Sequence, residues 1–231
     1  MLKIINFRKV IKKTLDSKFI LLYFLCVVVY LLSIFGTDLN LQLLLKSLPA
    51  LSLLIFYFVV KESNKDLRII VSLLLLVTIN VGLSIVNEFL IRVFLGTIVN
   101  LIVLWIILGH IKNDNRKLII PIATLSLVIF FLVFSFIFDE HKMNLEFVAI
   151  GIHGFVLILL LAVSYTNYIK DISMLNFLIF LGVGFRLFSD GITGIVFTDD
   201  TATVYLAIAA LFFQVSRFLV FYGLIKKDIN E

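Results

Sequence analysis

The chain has 231 residues, of which 62% are hydrophobic and only 15% charged, and its mean hydropathy is +1.17. Average globular chains carry about 25% charged residues, so the composition excludes a soluble globular domain. The net charge of +5 does not call for nucleic acid, because the cations collect in particular connections, and the single Cys26 excludes an internal disulfide and any cysteine-based metal site.

Residues 1–18 are basic, with Lys3, Arg8, Lys9, Lys12, Lys13 and Lys18 against Asp16. Ile4, Phe7, Ile11 and Leu15 recur at helical spacing, so the segment is either a short amphipathic helix on the inner leaflet or a solvated anchor. The apolar run from Phe19 to Phe35 is long for a signal sequence and no small-x-small cleavage site follows it, so it reads as a retained first span. Seven more apolar runs follow at 41–60, 69–86, 93–111, 118–138, 147–168, 174–196 and 204–225. Each is long enough to cross a hydrocarbon core of about 30 Å at about 1.5 Å per residue. Short polar connections such as 61–68 and 112–117 make sequential helices antiparallel.

The expected fold is therefore all-α: one integral membrane domain over residues 1–231, a polytopic bundle of eight transmembrane helices. The lysines and arginines divide 15 to 2 between alternate connections, which puts both termini in the cytoplasm. A multi-pass protein of a bacterial inner or plasma membrane, with the lipid bilayer as its partner, is the expected localisation.

Polar residues inside the spans are the candidate site, since ionisable groups in hydrocarbon are costly and face a partner or a cavity. In span 7, Gly182, Arg186, Asp190 and Gly194 form one i, i+4 ridge whose glycines invite a neighbouring helix. With the topology set, Lys46, Asn80, Asn100, His153 and Asp190 lie at one depth, roughly 8–11 Å below the outer surface. Gln214, Arg186 and Arg217 make a deeper tier. Plain structural roles compete at each position. Arg186 and Asp190 can neutralise each other, Lys46 can snorkel, and Asn80, Asn100 and Gln214 can act as interhelical glue. His153 has no carboxylate or histidine at a ligand spacing and reads as structural. No metal-ligand, P-loop or Ser-His-Asp pattern is found, and no cofactor is expected.

Three stretches resemble a known family. FLGVGFRLFSDGITGI (180–195) resembles the G-x-x-x-F-x-x-S-D segment on the seventh helix of the YhhN/TMEM86 family, whose characterised members are lysoplasmalogenases. LLLKSLPALSLL (43–54) is similar to that family's Lys-Pro-Leu start of the second helix, with Lys46 kept and the proline moved to Pro49. ALFFQVSRFLVFYGL (210–224) is similar to its last helix, with Gln214 at the place of a recurrent glutamine. One departure is clear: the family carries a Gly-Asp pair on the third helix where this chain has Ile79-Asn80.

The resemblance implies hydrolysis of the vinyl ether bond of a membrane lysophospholipid, releasing a fatty aldehyde. Protonation of the vinyl ether's β-carbon gives an oxocarbenium ion that water attacks. On this reading Asp190 is the acid and Asn80 orients the water. Lys46, Arg186 and Arg217 hold the phosphate, with Asn100, Gln214 and Ser189 completing the substrate-binding set. The alternatives are a transport or lipid-binding bundle, and a non-catalytic member that has lost the third-helix carboxylate.

Overall fold

The computed structural model describes residues 2–36, 39–61, 64–81, 89–111, 117, 119–137, 145–196 and 203–230. Among these there are eight α-helices and no strand: α1 (Leu2–Ile34), α2 (Leu39–Val60), α3 (Leu67–Val81), α4 (Phe89–Gly109), α5 (Ile119–Ile137), α6 (Leu145–Lys170), α7 (Met174–Val196) and α8 (Thr203–Asn230). Each contains one of the eight apolar runs or most of it. Five of them hold a stretch long and apolar enough to cross a membrane: α1 from Asp16, α4, α6, α7 and α8. The apolar stretches of α2, α3 and α5 are shorter (Leu44–Val60, Leu67–Val81 and Ile119–Leu132). The end expected for span 3, residues 82–86, lies outside the described residues, as does Lys142 in the connection before α6. The basic N-terminal segment is helical from Leu2 and runs without a break into the first apolar stretch, whereas its side chains to Leu15 lie outside the described residues.

Sequential helices pack as neighbours except α4 and α5, and the order α1–α2–α3–α4–α6–α7–α8 closes on itself where α8 returns to α1. Within this ring α8 also touches α2 and α3, so its last turns are enclosed, with Leu224 and Ile225 fully buried. α5 stands apart, packed mainly on α6. The helices alternate in direction, as the short connections predict. Lys61 at the end of α2 pairs with Asp228 at 2.8 Å, and Lys226 pairs with Asp16 of α1. Asp66, which precedes α3, binds Arg68, and Arg68 lies over the Trp105 ring near the end of α4. The buried Tyr57 joins this cluster by donating to Asp228 and accepting from the Asp66 backbone N–H. One end of the bundle is thus clasped by polar contacts among five helices, at the end where most of the basic connections lie.

The tightest packing is between α7 and α8, and small residues permit it. A Cβ at Gly182 would meet Val220, Leu219 and the Ser216 carbonyl at 2.8–3.0 Å; one at Gly223 would meet Ile179 at 2.7 Å. Gly182 therefore does what its place on the ridge suggested. Gly194 belongs to α7, but its surroundings are outside the described residues. Neither Pro49 nor the α7 glycines interrupt their helices.

Two predictions concern stability. Gly182→Ala should lower thermal stability in detergent by about 1–3 kcal/mol through overpacking. Gly184→Ala, where no atom lies within 4 Å of the added methyl, should instead leave it unchanged or raise it by up to about 1 kcal/mol. The Asp66 carboxyl lies below its ordinary value of 3.8: partial burial pushes it up, but hydrogen bonds and charge from Arg68 outweigh that. A depressed carboxyl stabilises the fold above the ordinary value and ceases to do so as pH falls through the depressed one. The melting-temperature gap between wild type and Asp66→Asn should accordingly be full near neutrality and shrink below pH 3.8.

Candidate functional site

The other half of the bundle holds the intramembrane polar residues, and their placement follows from helix geometry. An i, i+4 ridge precesses by about 40° per step on a helix of 3.6 residues per turn. The α7 ridge therefore starts against α8 at Gly182 and has turned toward α6 by Asp190, with Arg186 between. Ser189, seven residues beyond Gly182, returns to the α8 side. It is buried, and its hydroxyl donates to the Ala209 carbonyl at 2.8 Å. The Ser-Asp pair is thus divided: the serine ties α7 to α8 and the aspartate faces α6.

Asp190 is the centre of a small network. Arg186 Nε donates to Asp190 Oδ2 at 3.0 Å, and His153 Nε2 of α6 lies 3.3 Å from the same oxygen. His153 Nδ1 lies 2.8 Å from the Thr97 hydroxyl of α4, which is also 2.7 Å from the Val93 carbonyl. Three helices meet there. The Asp190 side chain is 30% exposed and that of His153 12%, so the carboxylate is the accessible member.

Beside this network is a cavity of about 40 Å³ walled by α3, α4, α6, α7 and α8. One water needs about 10–15 Å³ on the same measure, so the space takes about three or four. Its lining is apolar except for Asn100, Arg186, Ser216 and Arg217. Arg217 is only 5% exposed, and among the described residues its Nε and Nη1 have no hydrogen-bond partner; neither has the Asn100 amide nitrogen. The guanidinium groups of Arg186 and Arg217 share the Phe213 ring, at 4.0 and 3.8 Å from its centroid. Cation–π contact is worth about 0.5–2 kcal/mol, far less than the hydrogen bonds a buried guanidinium can make.

The remaining candidates are less exposed to the cavity. Gln214 is fully buried; its side-chain oxygen and nitrogen have no partner, while its backbone carbonyl accepts from Tyr23 at 2.6 Å. Asn80, 2% exposed, donates to the Lys46 backbone carbonyl at 3.3 Å and so links α3 to α2. Lys46 is partly buried, and no described carboxylate pairs with it. Lys46, Arg186 and Arg217 bring positive charge to this part of the bundle, and Asp190 is paired there with Arg186 and His153. Of the five residues expected at one depth, two pairs are in direct contact, Asn80 with Lys46 and His153 with Asp190, whereas Asn100 lies at the cavity with Arg186 and Arg217 of the deeper tier.

Thr97 and His153 escaped the reading of motifs. His153 had a carboxylate at its own depth on the next helix, and that shared depth was the available signal; spacing within one helix could not show it.

No protein-family model matches this chain, and neither a curated protein nor a solved structure matches it.

The unpartnered guanidinium gives a test of purpose. Replacing a buried charge by an apolar side chain of similar volume is often neutral or stabilising by about 1–4 kcal/mol. Arg217→Met should therefore melt in detergent at or above the wild-type temperature. A clear fall would make Arg217 a structural support instead of a ligand-binding group.

Proposed function

We propose that all eight helices cross the bilayer with both termini cytoplasmic, and that the chain hydrolyses the vinyl ether bond of a lysophospholipid in the manner of a lysoplasmalogenase. The topology rests on the 15 to 2 division of basic residues and on the antiparallel ring, in which α2 and α3 sit between α1 and α4. The substrate class rests on the resemblance of the α2, α7 and α8 segments to the YhhN/TMEM86 family.

The observation that carries the reading is the surplus of cations beside one accessible carboxylate. Arg217 presents two unpartnered nitrogens, and Arg186 stands between the cavity and Asp190. An anionic phosphate group bound there by Arg217, Arg186 and Asn100 satisfies the buried donors, with Lys46 adding charge from α2. Asp190 then lies within reach of the first bond of the acyl-chain analogue, the vinyl ether. In this mechanism the Asp190 carboxyl gives its proton to the β-carbon and becomes a carboxylate. Water adds to the oxocarbenium carbon and returns a proton to Asp190. The hemiacetal then breaks to a fatty aldehyde and the free hydroxyl of the glycerophospholipid.

A non-catalytic lipid-binding bundle is the second reading. It is favoured by Asn80, which stands where the resembled family has an aspartate and is bonded to the α2 backbone, leaving a single carboxylate in the described layer. The unbroken α2 and α7 give no support to a transporter, since intramembrane substrate sites of transporters are commonly built on interrupted helices.

Purified protein in detergent should release aldehyde from a synthetic lysoplasmalogen, and Asp190→Asn should lower the rate by about 10²–10⁴-fold. Equal rates for the two proteins would remove Asp190 from the chemistry. No release from folded wild type would favour the binding reading.

A further inference from the structure

Every described partner of Asp190 is on one oxygen. Arg186 Nε and His153 Nε2 both address Oδ2, at 3.0 and 3.3 Å, and none addresses Oδ1. The proton count across the chain of contacts decides what His153 contributes. The Thr97 hydroxyl has one proton and two candidate acceptors, the Val93 carbonyl and His153 Nδ1. If it turns to Nδ1, the ring is neutral with its proton on Nε2. If it turns to Val93, whose carbonyl already takes the helical N–H of Thr97, Nδ1 must itself donate to the hydroxyl. Nε2 would then meet Oδ2 with lone pair against lone pair unless a proton lies between them. The carboxyl's own proton could fill that place only by leaving Oδ1, the oxygen without a partner.

We infer that His153 is the positioning residue of this site: held by Thr97, it donates Nε2–H to Asp190 Oδ2, so that Oδ1 carries the transferable proton. This rests on the reading of Asp190 as the acid. In the acid form Oδ2 is the carbonyl oxygen and accepts from both Arg186 and His153. When Oδ1–H passes to the vinyl ether, the new negative charge spreads over both carboxylate oxygens, the share on Oδ2 meets two donors already in place, and no heavy atom need move. Water attack on the oxocarbenium carbon gives the proton back to Oδ1. The arrangement needs a residue that donates at the position of Nε2, and a ring that merely fills the space between α4 and α7 does not suffice.

The test combines kinetics with a direct view of the ring. Nitrogen NMR of selectively labelled wild-type protein should show a proton on His153 Nε2. For aldehyde release, His153→Phe should lower kcat by about 10²-fold, the scale of a misplaced reacting group, with KM unchanged. His153→Gln, which keeps a donor on a shorter side chain, should restore much of kcat. Thr97→Val should lower kcat and Thr97→Ser should not, and this pair carries the test if His153→Phe fails to fold. A ring protonated on Nδ1 alone, or wild-type kcat in His153→Phe or Thr97→Val, overturns the inference. If wild type releases no aldehyde, the hydrolase reading fails, and the NMR tautomer by itself decides whether His153 donates to Asp190.

Discussion

A guanidinium enclosed by an apolar bundle must be answered by something, and Arg217 is answered within the described protein by the face of Phe213 and little else. Much of the architecture around the cavity can be understood from that constraint. The close approach of α7 and α8, permitted by Gly182 and Gly223, puts Arg186 and Arg217 on the same aromatic ring. The two cations are thereby kept near each other at a cost that an anion entering the cavity would offset. Asp190 is hydrogen-bonded to Arg186 through Nε. The site is thus charged in the sense that suits a phosphate group, and its one accessible carboxylate lies beside that charge.

The two ends of the bundle treat polar groups differently. At the end with most of the basic connections, Lys61, Asp66, Arg68, Lys226 and Asp228 form pairs, and Tyr57 bridges two of the acids. These contacts hold helix ends together in the manner expected of a structural clasp. At the cavity, buried polar atoms of Asn100 and Arg217 have no hydrogen-bond partner among the described residues, and deeper in the core neither has the Gln214 amide. Buried polar atoms are normally satisfied; among the described residues the exceptions also include Asp16 Oδ1 at the clasp and the Ser72 hydroxyl, while those of Asn100 and Arg217 lie at the cavity.

The fold was legible to the extent that it depends on periodicity and length. Long apolar runs and short connections gave the eight helices, and the glycine on the α7 ridge correctly announced a close neighbour. Depth calculations placed Lys46 with Asn80 and His153 with Asp190, because rise per residue is nearly constant. Azimuth was harder to read. Ser189 and Asp190 are adjacent in the chain but face different helices, and the precession of the ridge decides which. His153 looked isolated because its partners, Thr97 and Asp190, come from other helices, α4 and α7, and no spacing within α6 shows them. The closed ring and the outlying position of α5 depend on which helix faces pair, and a chain apolar on nearly every face does not announce that.

The central claim is that the buried cations await a phosphate-bearing lipid. Native mass spectrometry of the detergent-solubilised protein, with lysophospholipid added, tests it most directly. A phosphate-headed lipid should remain bound to wild type and be lost from Arg217→Met, which should remain folded. Equal retention by both proteins, or preference for a neutral lipid of the same chain length, would contradict it.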